Sequence, residues 1–146
     1  MFSSKLLIGT LLLLSTLPTP SLGIFDLTMP LSCKKGYENW CADIVIYEID
    51  AITKPDFVAE KTICSTPNLK NGTIIADFGT IDPGRDWSNE YEILPVISHN
   101  CSSDGKMHCF KPQKHVDIDV FTHIALKLKV DFDGDGDMIN PCDRLD

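Results

Sequence analysis

Basic residues are scarce: the chain of 146 residues carries 13 Lys and Arg against 21 Asp and Glu, a formal charge of -8. A nucleic-acid binder needs a cationic surface to displace phosphate counterions, so that class is excluded. Adhesion to anionic membranes by bulk charge is excluded on the same ground. Beyond residue 23 no run is apolar enough to cross a bilayer, which takes about 20 residues. Paired Cys-x-x-Cys knuckles are missing, and with them the usual structural zinc pattern. Internal repeats, low-complexity tracts, domain linkers and helical periodicity are missing too. What is there is 43% hydrophobic, enough for one core in one domain.

Residues 1–23 read as a secretory signal. Lys5 opens it, an apolar stretch from Leu6 to Leu17 follows, and Pro18 and Pro20 end that stretch. Ser21-Leu22-Gly23 then places small residues where a signal peptidase cuts. Cleavage there leaves a domain at residues 24–146, and loss of Lys5 alone moves the charge from -8 to -9. Export explains the six cysteines, Cys33, Cys41, Cys64, Cys101, Cys109 and Cys142, as disulfide partners. Fifteen pairings are open. Asp104-Gly105 sits midway between Cys101 and Cys109, and a symmetric hairpin there would set those two cysteines face to face. Secretion also makes two glycosylation sequons meaningful, Asn71-Gly72-Thr73 and Asn100-Cys101-Ser102.

The apolar residues recur with a period of two. From His115 to Phe132 one face carries Val116, Ile118, Val120, Thr122, Ile124, Leu126, Leu128, Val130 and Phe132, and the other is mostly polar. That pattern predicts strand with one buried face. Its length predicts two strands with a bend near Phe121–His123. Ile44–Ile49, Phe57–Ile63, Thr73–Phe78 and Tyr91–Ser98 read as further strands, with Pro95 predicting an edge or a bulge. Seven short strands without a helix predict an all-β sandwich, transthyretin-like or immunoglobulin-like.

The order of these features resembles the nematode transthyretin-like family. The shared parts are the signal peptide, Cys41 ahead of the strand Ile44-Val45-Ile46-Tyr47-Glu48-Ile49-Asp50, and the Asn71-Gly72 turn. After them come the strand Glu90 to Ser98 closing on His99-Asn100-Cys101, then Cys109, paired closing strands and Cys142. The most telling part is His99-Asn100-Cys101, similar to that family's His-Asp-Cys or His-Asn-Cys mark. Cys33 and Cys64 stand outside the pattern, and the Gly-Lys-Pro-type turn after the first cysteine is missing. The resemblance implies a secreted β-sandwich related to transthyretin, and the expectation is a binding protein with an extracellular protein or lipid partner, not an enzyme, with no cofactor beyond the calcium considered below. The hydroxyisourate hydrolases of the wider superfamily use a Tyr-Arg-Gly-Ser tail, whereas this chain ends Cys142-Asp143-Arg144-Leu145-Asp146.

Two other chemistries have candidate residues. His99, His108, His115 and His123 are the available general bases, but no activated serine motif accompanies them. Asp131, Asp133, Asp135 and Asp137, with Gly134 and Gly136, match the opening of a calcium loop, where a hard cation takes several carboxylate oxygens. Cys142 occupies the position of the bidentate acid that would complete an EF-hand, and no helices are predicted around it. The calcium-dependent extracellular module is therefore the alternative to the binding protein, with the hydrolase behind both.

Overall fold

The computed structural model describes residues 24–33, 37, 39–66, 73–83, 90–120, 123–132, 142 and 145. Residues 1–23, where a signal peptide is expected, lie outside the described residues, as do Asn71, Asp133, Asp135 and Asp137.

Among the described residues there are nine strands and no helix: β1 (Phe25–Cys33), β2 (Cys41–Glu48), β3 (Asp56–Cys64), β4 (Thr73–Ile81), β5 (Glu90–His99), β6 (His108–Phe110), β7 (Val116–Asp119), β8 (Ile124–Lys127) and β9 (Val130–Phe132). They form two sheets. One has the order β4-β1-β8, with β9 also on β1; the other has the order β3-β2-β5-β6, with β7 also on β5. The inward faces of both sheets contribute to one buried cluster. It takes Leu27, Met29 and Leu31 from β1, Ala42, Ile44 and Ile46 from β2, and Ile93 and Ile97 from β5. Burial of such apolar faces, about 25 cal/mol per Å², is what holds the two layers together.

The expected all-β, two-layer arrangement is present, with two more strands than the seven predicted. Strand β1 is one of them. Its residues alternate buried and half-buried without a break, yet it adjoins the apolar leader and contains Pro30. The stretch from 115 to 132 makes three strands rather than two. Its alternation is retained, since Ile118, Val130 and Phe132 are buried while Asp117, Ala125 and Lys129 are exposed. It changes sheet on the way: β7 pairs antiparallel with β5, whereas β8 and β9 run parallel to β1.

Pro95 corrects the expected edge or bulge, because it sits in the central strand β5, opposite Ile46 of β2. On its other side β7 pairs with residues 90–93 and β6 with residues 97–99, so Pro95 falls in the gap between two partner strands. Proline lacks the N–H that a continuous ladder would need there. Pro30 repeats the device in β1. It pairs with Ile75 of β4 on one side and falls between β8 and β9 on the other.

The disulfides are Cys33–Cys101, Cys41–Cys64 and Cys109–Cys142. The pairing of Cys101 with Cys109 is therefore corrected. The hairpin from β5 to β6 does form, but in a register that sets His99 opposite His108 and Ser98 opposite Cys109. Cys101 lies three residues from Ser98, an odd step, which puts it on the opposite face from Cys109. It reaches across the core to β1 instead.

Candidate functional site

The outward face of the β3-β2-β5-β6 sheet carries a groove among the described residues. Alternation along β2 sends Ala42, Ile44 and Ile46 into the core and leaves Asp43, Val45 and Tyr47 on the outside. Register then builds rows across the strands. Thr62, Asp43, Ser98 and Cys109 form one, and Glu60, Val45 and Val96 the next. A bulge at Ile46/Tyr47 brings Phe57, Tyr47 and Leu94 into a third.

Cys142 and Leu145, the described residues beyond β9, form a strap over this face. Cys142 is tied to Cys109 of β6, and the Leu145 N–H donates to the Tyr47 hydroxyl at 3.2 Å. Cys142 and Leu145 pack on Tyr47, Val96 and Cys109, and Tyr47 is fully buried although its strand faces outward there. Beside the strap lies a groove of about 420 Å³ lined by Asp43, Val45, Glu60, Thr62, Val96 and Ser98, with Cys142 on its wall. That volume falls in the ordinary range for small-molecule sites. Val45 and Val96 line it with aliphatic groups, Asp43 and Glu60 with carboxylates, Thr62 and Ser98 with hydroxyls, and Lys61, which donates to the Asp77 carbonyl, with an ammonium. The Thr62 hydroxyl donates to the Asp43 carboxylate at 2.6 Å, which fixes that acid in place.

A second constellation closes the β5–β6 hairpin. Asp104 Oδ1 accepts from the Lys106 N–H at 3.0 Å, from His108 Nε2 at 3.1 Å and from the Ser102 hydroxyl at 2.9 Å. These bonds, the backbone one first, hold the Asp104 carboxyl well below the usual carboxylate range. Gly105 takes φ +67° in this turn, a conformation suited to glycine. Inside, His99 is 1% exposed and stacks on Phe132 with ring centroids 3.8 Å apart. Burial, and then the nearby His108, lowers its pKa from 6.5 to about 4. Its Nδ1 has no hydrogen-bond partner among the described residues.

The four predicted histidines therefore do not converge. His99 and His108 are buried at the hairpin, whereas His115 and His123 are exposed and face Asp117 at 3.0 Å and Asp26 at 3.6 Å. Of the acidic loop only Asp131 is described, and it is already engaged: it accepts from the Ser32 hydroxyl and lies 3.0 Å from the Lys129 ammonium. The carboxylates that do meet are elsewhere, Glu48, Asp50 and Asp56 at the turn from β2 to β3, with oxygens within 4.8 Å of one another. Of the two sequons, Asn100 is described. Its side-chain oxygen accepts from the Cys41 N–H at 2.7 Å, and its neighbour Cys101 is buried in a disulfide. The groove residues Asp43, Glu60, Thr62 and Ser98 were not singled out in the sequence, because a row across four strands depends on register.

A family model described as "Caenorhabditis elegans protein of unknown function (DUF870)" matches residues 28–144. The chain belongs to this family. The DUF870 match begins within β1, at Thr28, takes in β2 through β9 and all six cysteines, and ends one residue before Leu145. No curated protein sequence matches the chain. Among solved structures, an alternative pilotin from the type II secretion system of Vibrio cholerae is 14% identical, with a TM-score of 0.41 over 73% of this chain and 96% of that one.

Proposed function

We propose that this DUF870 protein is a secreted binding protein that takes a small ligand in the groove beside the C-terminal strap. The observation that carries the reading is the groove itself, a cavity of ligand size lined by both aliphatic and polar side chains, with the Asp43 carboxylate held by Thr62. Asp43 and Glu60 suit a cationic or hydrogen-bond-donating head, and Val45 and Val96 suit an apolar body. Three disulfides suit an oxidising extracellular setting. The two-layer all-β architecture is the one that the transthyretin-like resemblance implies, and we retain that kinship as part of the proposal.

The test is native mass spectrometry of the protein recovered from culture medium, followed by thermal shift against a panel of primary and quaternary amines carrying alkyl tails. Binding to the wild type, and its loss in Ser98→Trp, which fills the groove, is the expected outcome. Equal stabilisation of both proteins by the panel, or of neither, would refute the assignment of the groove.

A further inference from the structure

The three disulfides differ sharply in what surrounds them. Cys33 and Cys101 are 3% and 0% exposed and bridge the two sheets through the core. In Cys109–Cys142, Cys109 is buried, at 7% exposure, and Cys142 is half-buried, so neither is exposed. Cys41–Cys64 is different. Its cysteines are direct cross-strand neighbours on β2 and β3, on the same outward face as the groove, and Cys64 is exposed. Strand β3 is the outer strand of its sheet among the described residues.

The backbone around this bond closes without it. Eight residue pairs register β2 against β3. Past the disulfide the pairing goes on, since the Ser65 N–H donates to the Trp40 carbonyl at 2.7 Å and the Trp40 N–H donates to the Ser65 hydroxyl at 2.8 Å. Cys41 is further held by its N–H to Asn100, and its carbonyl accepts from the Asn100 N–H at 3.2 Å. A bond that is reachable at one sulfur and flanked by a ladder independent of it is placed for exchange, because exchange rates follow access to the attacked sulfur.

We infer that Cys41–Cys64 is a thiol–disulfide exchange site, taking small extracellular thiols at Cys64 while the fold stays closed. The incoming thiolate attacks the Cys64 sulfur. A new disulfide forms there, the Cys41–Cys64 bond breaks, and Cys41 leaves as a thiolate that takes up the proton the thiol gave up. A second thiol attacking the adduct releases the oxidised small molecule and leaves both cysteines reduced, so two thiols supply the two electrons. Alternatively Cys41, still held opposite Cys64, expels the adduct and restores the original bond. A cationic thiol suits this surface best, given Asp43 two residues along β2 on the same face and a net charge of -8.

Cysteamine is the probe. The oxidised protein is exposed to limiting cysteamine, quenched at intervals with N-ethylmaleimide, and mapped by peptide mass spectrometry. Adduct at Cys64 and label at Cys41 should accumulate at least about tenfold faster than label at the other four cysteines. The near-ultraviolet circular dichroism of this species should match that of the untreated protein. First labelling at Cys109 and Cys142, or at all six cysteines together, would overturn the inference. The variant Cys41→Ser/Cys64→Ser should fold and take up no cysteamine over the same interval. Uptake at the wild-type rate, or failure to fold, would each overturn it, since the inference requires that the ladder hold without the bond.

Discussion

Acidification from pH 7 to pH 5 is expected to weaken this fold by about 2 kcal/mol through one side chain, His99. The imidazole is 1% exposed, lies against the Phe132 ring, and has a pKa lowered to about 4, first by burial and then by His108. Unfolding returns it to water and to an ordinary value of about 6.5. The folded pKa is the lower of the two, so the unfolded chain takes up the proton first as pH falls. Stability is therefore intact above pH 6.5, declines below it, and levels off under pH 4 after a loss of about 3 kcal/mol. By pH 5 about 2 kcal/mol of that is gone, which moves a urea midpoint by about 1 M. Asp104 does not confuse this window. Its carboxyl is held below the ordinary carboxylate value, so its own contribution is present above about pH 4 and is lost only on further acidification. The assay is urea unfolding at half-unit steps from pH 7 to pH 4.5, on the wild type and on His99→Phe, whose ring suits the stack on Phe132. The difference between the two proteins should grow as pH falls. A difference that stays flat across the series would refute the reasoning.

Other consequences can be checked in the same way. Replacing Cys33 and Cys101 together by Ala should cost about 4 kcal/mol, the chain-entropy value for a bridge spanning 68 residues, read as a lowered denaturant midpoint. Tyr47→Phe removes the acceptor for the Leu145 N–H, so it should cost about 1 kcal/mol and speed amide exchange at Leu145 while leaving the β2 amides protected. Phe132→Ala opens a cavity among Trp40, His99 and Phe110, and should lower stability by about 3–5 kcal/mol in chemical unfolding.

The strand content was legible because a half-buried strand writes its alternation into the chain. His115 to Phe132 shows it plainly, whereas Ile44 to Ile49 was legible from its β-branched content, and both stretches form strands. The meaning of Pro95 was hidden for a physical reason. A proline rules out one hydrogen bond, and whether that implies an edge or a gap between partners depends on the neighbouring strand. The cysteine pairing was hidden more deeply. The hairpin at Asp104-Gly105 was readable, but its register differs from the symmetric one by an odd number of residues, which reverses the face Cys101 occupies. The groove was invisible because Thr62, Asp43 and Ser98 come from three separate strands and meet only once the sheet is assembled.

The parallel pairing of β1 with β8 and β9 has a consequence for how the chain is made. Strand β1 emerges from the ribosome early, but one of its flanks stays open until nearly the whole polypeptide has followed. The β2–β3 hairpin and its bridge can close long before then, whereas Cys109 must wait for Cys142. Contacts so distant along the chain form slowly. A chain ending before residue 124 would carry an unmatched Cys109 thiol and leave that flank of β1 unpaired.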